Sequence, residues 1–333
     1  MIWPAQMNVI DYVLLLVVFC GSVVTLKWAI ASGIASRIAM DAPNHRSLHL
    51  NPTPRGAGLL FLPWALAAGL LASGDPLVLL LAAALMLVSL VDDRQGLPVS
   101  ARLGVHFLIA FSFSFVEIAG SWVTVFVATL TIAWIMNLFN FMDGSDGLAG
   151  AMTVFGFGAY AWVASAAGQP GLAITSGALA VAALAFLIFN LPPAKIFLGD
   201  SGSISIGFLA GSLGLLGWRN DVWPAWFPVL VFSPFIMDAT ITLARRVLRK
   251  DRFWEAHREH TYQRLVRMGW SHGRLLKVEM VLMAGSSTTA IALLHASEAA
   301  RVVAIVVWLG LYLGLLILVD RQWQTYLVRS GSR

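Results

Sequence analysis

Apolar residues run through this chain in long blocks broken by short polar stretches. Blocks of about 20 apolar residues have the length of membrane-spanning helices. Eleven are expected, at about 9–31, 57–73, 76–91, 102–119, 121–139, 149–168, 170–190, 203–218, 223–247, 276–295 and 299–320. Asp75-Pro76, Gly120, Gln169-Pro170 and the stretch around Ser297 supply turns at one end of these spans. The expected fold class is an all-α polytopic membrane protein, with residues 1–333 forming a single integral membrane domain. Gly207-Phe-Leu-Ala-Gly211 fits the small-xxx-small pattern by which such helices pack closely.

Composition excludes a soluble domain: 59% of the 333 residues are hydrophobic, 12% are charged, and the mean hydropathy is +0.79. The single cysteine, Cys20, lies in the first apolar run, so neither a disulfide framework nor a cysteine metal site is expected. No basic residue precedes that run and Lys27 sits at its far end, which does not resemble a cleavable signal. Charge then sets an orientation. If the loop after the first span is cytosolic, nineteen of the 22 Lys and Arg fall on the cytosolic side, ten of them between Arg245 and Lys277. The positive-inside rule puts the N-terminus outside and the C-terminus in the cytosol. Trp122, Trp218, Trp223 and Trp226 then lie near outer span ends, as an aromatic belt would. The pI of about 9.7 suits anionic lipid or a phosphorylated substrate better than nucleic acid, which is not an expected partner.

With that topology the unusual polar residues gather on one face. The expected cytosolic loops are about 32–56, 92–101, 140–148, 191–202 and 248–275. Asn137, Asn140 and Asp143 recur every three residues, which places them along one helix face. Asp146 follows in a turn that Gly144 and Gly147 permit. Asp92 and Asp93 end the third span; adjacent carboxylates repel and call for a cation, either a metal or Arg94. Asp200 stands alone between Gly199 and Gly202, a setting that suits a Mg²⁺ ligand at a substrate phosphate. Arg46, Arg55, Arg102, Lys195, Arg258 and Arg264 are candidate phosphate binders, although each also serves as a topology determinant. His257 and His260 at i, i+3 are a weak zinc signal. Asp238, an acid within a span, is either functional or a polar packing contact. Acidic and amide clusters with basic loops at a bilayer surface point to metal-assisted chemistry on phosphates.

These blocks resemble the polyprenyl-phosphate N-acetylhexosamine-1-phosphate transferases, the MraY/WecA-like family. The matching stretches are Pro52-Thr-Pro-Arg-Gly56, Val91-Asp-Asp-Arg94, Asn137 to Gly150, Asn190 to Ser203 and His257 to Leu265, in the family order. The resemblance implies ten or eleven transmembrane helices in the bacterial inner (cytoplasmic) membrane, with the active site facing the cytosol. It implies transfer of a sugar-1-phosphate from a UDP-N-acetylamino sugar to polyprenyl (undecaprenyl) phosphate, releasing UMP. Asp92 and Asp93 would handle the lipid phosphate, and Asn140 and Asp143 the nucleotide sugar, with Asp146 in the same motif. Asn190 would lie on the nucleotide side, and Asp200 would bind Mg²⁺, for which Mn²⁺ can substitute. Partners are the lipid phosphate, the UDP-sugar and membrane lipids, with a homodimer as one arrangement. The chain departs from MraY-like members at His260-Thr-Tyr-Gln-Arg264, which argues against a muramoyl-pentapeptide donor. It looks closer to the WbpL-like branch that initiates O-antigen or other surface glycans in lipopolysaccharide biosynthesis. The competing classes are a transporter or flippase for an anionic lipid or sugar phosphate and, less closely, a lipid phosphate phosphatase.

Overall fold

The computed structural model describes residues 7–43, 48, 51–118, 120–251 and 257–330. The chain opens with α1 (Val9–Ala31) and a short α2 (Ile34–Ile38), followed by β1 (Ala39–Asp41) and β2 (Thr53–Arg55). Then come α3 (Gly58–Leu71), α4 (Pro76–Gln95), α5 (Val99–Glu117), α6 (Trp122–Met142), α7 (Leu148–Ala166), α8 (Pro170–Asn190) and α9 (Asp200–Arg219). The last part holds α10 (Trp226–Val231), α11 (Ser233–Leu248), α12 (Thr261–Arg267), α13 (His272–Leu293) and α14 (Glu298–Ser330). The protein is an all-α polytopic membrane protein.

Every one of the eleven expected apolar runs is helical, and nine described helices are long and apolar enough to cross a bilayer. The other two runs depart from a simple span. α3 has only 14 residues. The run at 223–247 is broken at Phe232 into α10 and α11, because Pro234 has no N–H to continue the helix and instead sits in the first turn of a new one. α14 has 33 residues, about 50 Å at about 1.5 Å per residue. That exceeds a hydrocarbon core of about 30 Å, so its C-terminal turns stand clear of the bilayer core.

α9 is the central helix, packed on α3, α4, α6 and α7. Its small residues let neighbours come within backbone contact, as the Gly207–Gly211 spacing suggests. A Cβ on Gly207 would lie 2.7 Å from the Cα of Met136 in α6. One on Gly58, at the start of α3, would lie 2.3 Å from the Cα of Gly202. Above this contact the chain is stitched by backbone hydrogen bonds. Phe197 N–H donates to Pro54 O (2.8 Å), and the N–H groups of Gly56 and Ala57 donate to Phe197 O (3.1 and 3.0 Å). The antiparallel β1–β2 pair, with Asp41 opposite Thr53, is thereby fastened to the segment that leads into α9.

Candidate active site

A cavity of about 820 Å³ opens where the expected loops converge. One part is an apolar groove between α5 and α6, walled by Leu103, Phe107, Leu130, Ala133 and Trp134. Phe107 and Leu130 are 42% and 41% exposed, so this groove opens sideways toward the lipid. The other part is polar, with Asn137, Asn140, Asp143 and Asp200 on its floor.

Asn137 and Asn140 lie in the last turns of α6, and Asp143 is its C-cap, as the three-residue spacing suggests. Asn140 Nδ2 donates to Asp200 Oδ1 (3.0 Å) and to Ser203 Oγ (3.2 Å), joining the end of α6 to the start of α9. Asp200 is itself the first residue of that helix rather than part of a loop. Arg102 on α5 bridges two acids: its Nη1 lies 3.3 Å from Asp92 Oδ2 and 3.6 Å from Asp200 Oδ2. Asp92 also accepts from Leu97 N–H (2.7 Å), while Asp93 pairs with Arg55 (3.4 Å) and accepts from Ser201 N–H at the N-terminus of α9 (3.4 Å). The cation partners of the two carboxylates are thus Arg102 and Arg55, not Arg94, which donates to Ile38 O. Both are buried and stand behind the cavity wall, so they orient the two guanidiniums that line it.

Asp143 faces the cavity with no hydrogen bond or ion pair to its carboxylate among the described residues. Burial, reinforced by the negative charges of Asp200, Asp93 and Asp41, pushes its pKa well above the ordinary carboxylate value. Asp146 Oδ2 instead accepts from Ala194 N–H (3.1 Å). Asn190 uses both ends of its amide on backbone: Oδ1 accepts from Gly147 N–H (2.9 Å) and Nδ2 donates to Ile196 O (2.8 Å). These two residues clamp the two loops together. Gly144 leaves room for the Tyr262 hydroxyl, which would lie 2.2 Å from a Cβ there.

The last loop divides into a cavity side and a strut side. His257, His260, Tyr262 and Gln263 line the cavity, and the His260 ring stacks on Phe141 at 6.0 Å between centroids. Asp238 holds this loop, accepting from Thr261 N–H (2.8 Å) and Tyr262 N–H (3.2 Å). These bonds anchor the start of α12, and Asp238 Oδ1 also lies 3.6 Å from Nδ1 of the cavity-lining His260. Burial, then the neighbouring His260 and Arg246, lowers the His257 pKa to about 4, so this ring is neutral at neutral pH. Arg264 does not reach the cavity. It pairs with Asp320 of α14 (2.7 Å) and lies over the Trp323 ring, 5.9 Å from its centroid. Arg258 likewise is not part of the lining; its carbonyl accepts from Arg267 (3.2 Å). Arg46 lies outside the described residues. Among those described, no three His, Cys, Asp or Glu side chains group as a metal cage, and no described residue extends the His257/His260 pair to a third ligand.

Sequence reasoning overlooked His106, Ser145, Phe197 and His272, all of which line the cavity. Ser145 Oγ and His272 Nδ1 are 2.8 Å apart across two elements that no sequence spacing connects. His106 carried a signal, lying four residues beyond Arg102 on the same helix face.

Residues 76–217 match the glycosyl transferase family 4, a region that contains the Asp92-Asp93, Asn137–Gly147 and Asp200 motifs. A probable undecaprenyl-phosphate N-acetylglucosaminyl 1-phosphate transferase of Bacillus subtilis is 29% identical over 317 residues, covering 88% of this chain and 86% of that protein. A decaprenyl-phosphate N-acetylglucosaminephosphotransferase of Mycobacterium tuberculosis is 30% identical over 303 residues, covering 74% of this chain and 73% of that protein. The chain belongs to the polyprenyl-phosphate N-acetylhexosamine-1-phosphate transferase family. A phospho-N-acetylmuramoyl-pentapeptide-transferase of Picosynechococcus, 28% identical over 257 residues and aligned over 67% of each chain, lies in the same circle of relatives.

Proposed function

We propose that the protein transfers a sugar-1-phosphate from a UDP-N-acetylamino sugar to a polyprenyl phosphate at the cytosolic face of the bacterial inner membrane, giving polyprenyl-diphosphate-sugar and UMP. The observation that carries this reading is the continuity of the cavity. A groove open to lipid between α5 and α6 leads straight to the Asn140–Asp200–Arg102 cluster. The groove suits an isoprenoid tail and the polar floor suits phosphates.

The reacting groups are two anionic phosphates, and the lipid monoester, with a second pKa of about 6, is already largely a dianion at neutral pH. A lipid phosphate oxygen attacks the phosphorus that bears the sugar, and the bond from that phosphorus to the UMP oxygen breaks. The protein's task is to relieve repulsion. Arg102 and Arg55, held by Asp92, Asp93 and Asp200, supply two oriented guanidiniums for this. The carboxylates of Asp200 and Asp143, the latter unpaired among the described residues, fit a hard cation that takes its remaining ligands from water and phosphate oxygens, the habit of Mg²⁺. When bound, Mg²⁺ would screen the phosphate charges and stabilise the charge moving onto UMP.

The donor reading is an N-acetylated hexosamine or 6-deoxyhexosamine, with no turnover of the muramoyl-pentapeptide nucleotide. It rests on the departure at His260-Thr-Tyr-Gln-Arg264 and on the N-acetylglucosaminyl names of the Bacillus and Mycobacterium relatives. The WbpL-like role, starting O-antigen or another surface glycan, belongs to the same reading. Purified protein incubated with polyprenyl phosphate, Mg²⁺ and a panel of UDP-amino sugars is the test. UMP release with a lipid-linked sugar is the expected result. Inorganic phosphate without UMP would mark a phosphatase, and neither product a transporter.

A further inference from the structure

α5 turns one face to the cavity, with Val99, Arg102, Leu103, His106 and Phe107 at helical spacing. His106 stands out in this row. The residue is 6% exposed and lies against Asn137 of α6. Its Nδ1 has no hydrogen-bond partner among the described residues. A dry, unpaired ring nitrogen is costly to keep, and an ionisable side chain within a membrane span is a functional candidate. Asn137 Nδ2 donates one of its two hydrogens to Ala133 O (2.7 Å), and the amide oxygen is placed to accept from the His106 ring.

Position narrows the ligand. One turn along α5, about 6 Å away at about 1.5 Å per residue, Arg102 bridges Asp92 and Asp200. On the other side Leu103, Phe107 and Leu130 begin the groove that opens to lipid. His106 thus stands at the junction of the apolar groove with the charged centre. A long-chain lipid lying in that groove has one polar group to present there, its headgroup. We propose that His106 is a contact for the phosphate headgroup of the acceptor lipid, its ring hydrogen-bonding a phosphate oxygen. With one ring N–H turned to the Asn137 oxygen, the contact takes a second proton, carried either by Nδ1 and donated to the phosphate or by the phosphate and accepted by Nδ1. The proposal rests on the polyprenyl-phosphate reading above.

Binding of polyprenyl phosphate and of uncharged polyprenol to the full chain in nanodiscs, without nucleotide, tests it. Wild type should prefer the phosphate form. His106→Leu should lose about tenfold or more of that preference while UDP-sugar affinity stays unchanged. His106→Gln, which keeps a donor and an acceptor, should retain most of it. Equal preference in wild type and His106→Leu overturns the assignment and leaves the acceptor reading standing. A wild-type protein that does not distinguish the two lipids defeats the acceptor reading itself. If His106→Leu does not fold, ring-nitrogen NMR of the ¹⁵N-histidine-labelled wild type decides. The chain has 7 histidines, and the signal missing in His106→Gln identifies His106. Polyprenyl phosphate, and not polyprenol, must move that signal; an unmoved signal overturns the proposal.

Discussion

Asp143 shows how one side chain can be tuned against the stability of its own protein. Its pKa is raised by burial and then by the charges of Asp200, Asp93 and Asp41, so the folded state holds a proton more tightly than the unfolded chain does. Stability then falls as pH rises from the ordinary carboxylate pKa of about 3.9 through the raised value. Asp143→Asn removes this penalty. The expected outcome is a higher melting temperature than wild type at neutral pH in chelator, converging on wild type below about pH 4, with transfer activity lost. Added Mg²⁺ should narrow the neutral-pH gap by stabilising wild type. Differential scanning fluorimetry across pH checks this, and identical melting at neutral pH would sink it. Asp200→Asn should also abolish transfer in a folded protein, since an amide oxygen replaces a carboxylate poorly at a hard-cation site; near-normal turnover at low Mg²⁺ refutes that role. Polar identity made these acids legible in an apolar chain. Which atoms face the cavity was not legible. The Asp92 and Asp93 carboxylates are engaged by Arg102 and Arg55, ten and thirty-eight residues off, a pairing no sequence spacing announces.

Elements were readable where the hydrophobic signal is long and uninterrupted, and less so where packing rather than composition fixes the boundary. The break between α10 and α11 had its marker in Pro234, yet the apolar residues run on through it. Asp200 reads as a loop residue among glycines, but it is the first residue of α9, whose N-terminal turn packs against the start of α3. A Cβ on Gly58 would meet backbone, which cannot yield as a side-chain tip can. Gly58→Ala should therefore destabilise by at least the overpacking range of about 1–3 kcal/mol and shift the β2–α9 stitch that carries Arg55. Thermal unfolding in detergent checks it, and a wild-type melting temperature would show that α3 and α9 slide apart freely. The last loop was legible as a motif but not in its division of labour. Arg264 serves the α12–α14 joint, while His257, His260 and Gln263 face the cavity. Replacing residues 257–263 with those of a relative that uses another donor should alter the donor ranking in kcat/KM and leave the Mg²⁺ dependence unchanged. An active chimaera with an unchanged ranking moves the reading of the sugar elsewhere.

At the scale of the whole molecule, the bundle gathers its acids, amides and guanidiniums at one end, and the same loops carry most of its Lys and Arg. The two facts are coupled physically. A phosphate-binding end needs guanidiniums, and guanidiniums in short loops hold that end in the cytosol during insertion. The orientation proposed here follows: the cavity opens to the cytosol and the turn between α7 and α8 lies outside. Gln95, at the cavity end of α4, and Gln169, in that turn, are both exposed and can each carry a cysteine in a Cys20→Ser background. An impermeant maleimide applied to intact spheroplasts should modify Gln169→Cys readily, and Gln95→Cys only after the membrane is permeabilised. The opposite pattern would place the cavity on the outer face. Cytosolic UDP-sugars would then lie across the membrane from the Asp200 floor, and the transfer reading would fall with the topology.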